Sequence, residues 1–90
     1  MRMLDQTGSF RRDLKRITKR GYDLGKLAKV LNLLQDNTPL PMSNRPHPLN
    51  GRWKGFLECH IAPDWLLIYQ IDAVRVILVR TGTHSDLFDE

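Results

Sequence analysis

The chain has 90 residues, 41% of them hydrophobic, with one cysteine and a formal net charge of +4. That length closes a single core, so one domain over residues 1–90 is expected, globular in composition and without low-complexity tracts. The longest apolar runs, "WLLIY" and "VILV", fall far short of the ~20 residues that cross a bilayer, and "MRMLDQTGSF" carries no apolar signal region. Together with a lone Cys59 that has no internal disulfide partner, this sets the expectation of a cytoplasmic protein with no membrane contact.

The positive charge is concentrated near the start. Residues 1–37 hold nine Lys/Arg against four Asp/Glu, whereas residues 38–90 hold five against six. Phe10, Leu14 and Ile17 recur at helical spacing between Ser9, an expected N-cap, and Gly21, an expected stop, which predicts a first helix over residues 9–20. It carries Arg11, Arg12, Lys15, Arg16, Lys19 and Arg20. Such a cluster suits a polyanion or an acidic protein partner, and it is equally what the solvated face of an amphipathic helix looks like. Leu24, Leu27, Leu31 and Leu34, widened by Val30 and Leu33, mark a second helix capped by Asp23.

The stretch "NTPLPMSNRPHPLNG" holds four of the five prolines, so it is an ordered loop. After it, "WKGFLECHI", "WLLIYQI" and "VRVILVR" read as strands, and the short links "APD" and "DA" make them antiparallel neighbours. A brief N-terminal strand around Met3 to Gln6 is compatible with the pattern. The fold class is therefore α+β, with two N-terminal helices packed on one face of a small antiparallel sheet.

Two-residue turns at Pro63-Asp64 and Asp72-Ala73 place His60 opposite Leu67, Glu58 opposite Tyr69, Trp65 opposite Arg80 and Leu67 opposite Leu78, all on one face. Gly55, Leu57, Cys59, Ile61, Leu66, Ile68, Ile77 and Val79 then form the apolar face that the helices cover. With a turn one residue longer, the face of His60 flips. In either register the end of the His60 strand, Asp64, Trp65 and Arg80 meet at one end of the sheet, and the chain runs on from there into His84 and Phe88.

Histidines, an aspartate, an arginine and aromatics on a basic scaffold fit metal-independent RNA cleavage. In that reaction a base takes the ribose 2′-hydroxyl proton, the oxygen attacks phosphorus, and an acid protonates the departing 5′-oxygen. Arg80 can hold the phosphate, and Trp65 or Phe88 can stack on a base. Each residue also has a plainer role open to it. His47 sits in a proline-rich loop with nothing around it that demands a function; Asp64 can make local turn bonds; Trp53 and Trp65 can be core aromatics; Phe88 can tuck the C-terminus. The three histidines lack the close spacing of metal-ligand pairs, so no metal and no cofactor is expected. Cys59 and His60 are adjacent on a strand and point to opposite faces, which rules out a nucleophile pair.

The block "HPLNGRWKGFLECHIAPDWLLIYQI" followed by "RTGTHSDLF" closely resembles the YafQ-type toxins of the RelE/ParE superfamily, and the likeness covers nearly the whole chain. The resemblance implies an endoribonuclease that cuts mRNA on the ribosome without metal and is held inactive by a cognate antitoxin. It implies functional roles for His47, His60, Asp64, Trp65, Arg80, His84 and Phe88. His84 would be the proton donor, His60 and Asp64 the base or base-orienting pair, Arg80 the phosphate ligand and His47 a supporting residue. The basic first helix would meet ribosomal RNA, and the antitoxin would cover part of the same surface. A ParE-like gyrase-targeting toxin without enzymatic activity, or a basic nucleic-acid-binding module, are the alternatives; neither needs several titratable groups at one end of a sheet.

Overall fold

A computed structural model describes residues 1–88. In chain order the elements are β1 (Met3–Gln6), α1 (Gly8–Lys19), α2 (Leu24–Gln35), β2 (His47–Pro48), β3 (Leu57–Ala62), β4 (Trp65–Ile71), β5 (Arg75–Gly82) and α3 (His84–Phe88). The strands form one sheet in the order β1-β5-β4-β3-β2. β1 runs parallel to β5 while the remaining pairs are antiparallel, so the sheet is mixed rather than wholly antiparallel. A parallel partner requires a long crossover, and here both helices and three strands intervene.

The N-cap of α1 is Thr7, not Ser9. Its hydroxyl accepts the Phe10 N–H at 3.0 Å and donates to the Val79 carbonyl at 2.8 Å. Thr7 is preferred because one side chain both caps the helix and ties it to β5, whereas Ser9 lies inside the first turn and meets Arg12. At the other end Gly21, at φ +81°, donates to the Thr18 carbonyl, and Tyr22 donates to that of Ile17. This left-handed glycine closure ends α1 after Arg20. Asp23 caps α2 as expected, accepting the Gly25 N–H at 3.0 Å.

The helix-covered core contains Phe10, Ile17, Leu27, Val30 and Leu34 against Cys59, Trp65, Leu67, Tyr69, Val76 and Leu78. Each such side chain contributes about 1.5–3 kcal/mol by leaving water. The expected facing of β4 and β5 is corrected. The first turn does pair Ala62 with Trp65, but a bulge at Ile61 puts His60 opposite Leu66 and Glu58 opposite Ile68. The second turn is longer than two residues: Ile71 pairs with Val76, and a second irregularity at Val79 places Arg80 opposite Ile68 and Thr81 opposite Leu67. Leu67, Tyr69 and Leu78 therefore face the helices. Leu66, Ile68 and Val79 face the other way and pack with Leu49, Trp53, Phe56, Leu87 and Phe88 in a second, smaller cluster.

Candidate active site

The turn between β3 and β4 and the start of α3 come together through Asp64. Its Oδ1 accepts the backbone N–H of His84 at 3.0 Å and lies 2.6 Å from the His84 Nδ1. These contacts, the backbone N–H first and the imidazole second, hold the Asp64 carboxyl below the usual carboxylate range. With Asp64 ionised and only able to accept, the His84 Nδ1 facing it donates an N–H. The His84 side chain is about two-fifths exposed, open enough to meet a ligand.

His60 lies beside this pair, its ring centroid 5.8 Å from that of His84. The Ile61 bulge leaves the His60 side chain on the face away from the helices, where it is only 15% exposed. Asn44 donates to the His60 carbonyl at 2.7 Å, so the proline-rich loop is pinned onto this strand end. Glu58, two residues earlier on the same face, has one oxygen 3.9 Å from His60 Nε2 and 3.0 Å from His47 Nε2. β2 brings His47 directly opposite Glu58. One ligand atom from each of His47, Glu58 and His60 lies within 4.8 Å of the others, two imidazoles and a carboxylate of the kind that suits zinc or copper.

Glu58 was paired in the strand register but not placed in the site. Its signal was present: an acid two positions from a histidine on a strand shares that histidine's face. Asp13 was missed as well. It is 2% exposed and accepts Arg80 Nε at 2.6 Å, Arg80 Nη2 at 3.2 Å and the Thr81 N–H at 3.1 Å. Its position, three residues after Phe10 and four before Ile17, put it on the buried side of α1.

Arg80 is therefore held by Asp13, which keeps its guanidinium firmly charged. Its Nη1 makes no protein hydrogen bond among the described residues, and its side chain is 24% exposed. Trp65 is a core residue rather than an open stacking platform. It is 4% exposed, meets Tyr22 edge-on at 4.9 Å and donates its indole N–H to Thr81 at 2.9 Å. Phe88 is half-buried, with its ring 6.4 Å from that of Trp53. The basic face of α1 divides as well: Arg20 is paired with Asp86, and Arg16 lies between Asp13 and Asp86. Arg11, Arg12, Lys15 and Lys19 have no ion pair among the described residues.

The chain matches, over residues 2–89, the family model described as the bacterial toxin of type II toxin-antitoxin system, YafQ. It is 42% identical over 88 residues to the mRNA interferase toxin YafQ of Escherichia coli K12, a match spanning 97% of this chain and 96% of that one. The fold superposes with a TM-score of 0.90 on the toxin in the E. coli DinJ-YafQ complex, at 40% identity, covering 98% and 99% of the two chains. A copper-bound mutant toxin from Helicobacter pylori superposes with a TM-score of 0.92 at 39% identity, covering 98% of this chain and all of that one. The family match, the sequence identity and the shared fold all extend over nearly the whole chain, and this chain belongs to the YafQ family of type II toxin-antitoxin toxins.

Proposed function

We propose that this toxin is an endoribonuclease that cleaves mRNA on the ribosome by 2′-hydroxyl attack without a metal cofactor. The observation that carries this reading is the Asp64-bound His84 imidazole with the His60 ring 5.8 Å away, two proton-transfer groups spaced to flank one phosphodiester. His60 takes the 2′-hydroxyl proton, and the freed oxygen attacks the adjacent phosphorus. His84, oriented by Asp64, gives its proton to the departing 5′-oxygen. The products are a 2′,3′-cyclic phosphate and a 5′-hydroxyl end.

Arg80 supplies the free Nη1 to the phosphate as charge builds on it, its other nitrogens being fixed by Asp13. His47 supports the site through Glu58. A base stacks against Phe88, since Trp65 is enclosed. Arg11, Arg12, Lys15 and Lys19 carry the contact with ribosomal RNA. By likeness to YafQ in its complex with DinJ, a cognate antitoxin restrains the toxin and covers part of the same basic surface. The protein works in the cytoplasm, in keeping with the absence, among the described residues, of any helix long and apolar enough to cross a membrane.

His47, Glu58 and His60 lie close enough together to hold a cation, and a similar toxin from Helicobacter pylori is copper-bound. His47, Glu58 and His60 would hold such an ion, and the His60 nitrogen engaged with it would no longer serve as the base, so metal would inhibit cleavage. In a translating extract, wild-type toxin stripped of metal with EDTA and desalted before addition is expected to leave 5′-hydroxyl ends within translated codons, and toxin loaded with Cu(II) beforehand is expected to leave fewer. His84→Gln is expected to remove these ends while the protein stays folded. Loss of cleavage by the metal-stripped toxin, restored by adding the metal back to it, overturns the metal-free mechanism; intact messages with stalled DNA replication point to the gyrase-type reading instead.

A further inference from the structure

His84 opens α3, a helix of five residues, too short to hold its shape by its own hydrogen bonds. Asp86 supplies what the helix lacks. Its Oδ2 accepts the Thr83 N–H at 2.9 Å, and the Thr83 hydroxyl accepts the Asp86 N–H at 3.1 Å, a reciprocal cap that fixes the first turn. The same carboxylate takes the fork of Arg20, Nη1 at 2.7 Å and Nη2 at 3.1 Å. Gly82 makes room for it: at φ +153°, a Cβ added there would sit 2.8 Å from the Asp86 Oδ2. Arg20 closes α1, a helix anchored in the core by Phe10 and Ile17. The capped turn that presents His84 is thus referenced to the most firmly packed helix of the fold, and its other tether is Asp64.

We propose that Arg20 and Asp86 are positioning residues for cleavage: the Arg20–Asp86 fork, acting through the Thr83 cap, sets His84 at the place where it reaches the scissile phosphodiester. The inference rests on the reading of His84 as the proton donor. Arg20 differs in this from Arg11, Arg12, Lys15 and Lys19 on the same helix. Its charge is directed inward to a carboxylate with only 13% of its side chain exposed, so its loss acts on the rate of the chemical step and not on RNA affinity.

The test measures kcat and KM of message cleavage on programmed ribosomes. Arg20→Ala is expected to lower kcat about tenfold with KM changed by less than about twofold, since a small misplacement of a reacting group costs rate and not binding. Asp86→Asn, which keeps an oxygen for the Thr83 cap and loses the charged fork, is expected to match it, and Arg20→Lys to recover part of the loss. In a His84→Gln background, Arg20→Ala should cause no further decrease. Arg75→Ala, which removes the exposed pair with Asp5 at the far end of β5, should leave kcat unchanged. A raised KM with unchanged kcat makes Arg20 a plain RNA contact and overturns the inference, as does an additive loss in the His84→Gln background. Full activity of His84→Gln itself overturns the proton-donor reading instead, whatever Arg20 does.

Discussion

The β3–β4 and β4–β5 hairpins each turn at an aspartate, and the two aspartates are used in opposite ways. Asp72 Oδ1 accepts the N–H groups of Val74 and Arg75 at 2.7 and 2.8 Å, so its carboxylate closes the turn it stands in. Asp64 reaches out of its turn to the N–H and imidazole of His84, 20 positions further on. Both carboxyls are held below the usual range, and in both the leading cause is a backbone N–H donor. A depressed carboxyl pKa therefore does not by itself separate a site from a scaffold here. What separates them is the partner: Asp72 orders its own loop, while Asp64 brings a titratable ring to a sheet end that already holds His60.

The sharpest way to break this comparison is to neutralise each acid in turn. Asp64→Asn is expected to lower message cleavage about 100-fold, because the His84 imidazole, the proposed proton donor, loses the carboxylate that orients it. Asp72→Asn should leave cleavage within about twofold, read by primer extension on the same message; equal losses would make the two turns alike. The next effect falls on stability. Asp13→Ala removes the partner of the largely buried Arg80 and the acceptor of the Thr81 N–H, and is expected to cost about 3 kcal/mol in urea unfolding.

The smallest effect is on pH dependence. Because both turn carboxyls titrate below their ordinary value of 3.8 in the folded protein, their stabilisation is complete above that value and is lost as pH falls through the depressed folded ones. Melting temperature followed from pH 6 into acid should decline less steeply in either Asn variant than in the wild type, while only Asp64→Asn affects cleavage. An acid limb unchanged by Asp72→Asn would show that its turn bonds carry no charge-dependent stability.

Much of the fold was legible in the residues. The second helix and its Asp23 cap and strands β4 and β5 stand where spacing and turn chemistry put them, whereas β3 begins at Leu57 and not at Trp53, and the proline-rich loop contributes the short edge strand His47–Pro48. The facing of the strands was not. Trp65 through Tyr69 are all buried, because β4 is central and covered on both faces. A continuous apolar run holds no alternation from which register can be read. Bulges at Ile61 and Val79 then shifted the pairing on either side of it. The meeting of His60, Asp64 and His84 survived those shifts because it depends on which strand ends lie together and not on their faces. Asp13 and Asp86 escaped notice in the site because a carboxylate acquires its role from partners far away in sequence, Arg80 for Asp13 and Arg20 for Asp86, whereas the spacing of Glu58 from His60 was there to be read.

The parallel pairing of β1 with β5 has a consequence for the order in which the molecule can be made. Residues 3–6 are synthesised first, yet their sheet partner is Arg75–Leu78, near the other terminus. Thr7, which caps α1, likewise waits for Val79, and Asp13 waits for Arg80 and Thr81. The basic helix can coil early, but its seat and the buried carboxylate on it are completed only when the last strand arrives. A nascent toxin is thus an incomplete one until β5 has emerged, and His84 follows that strand.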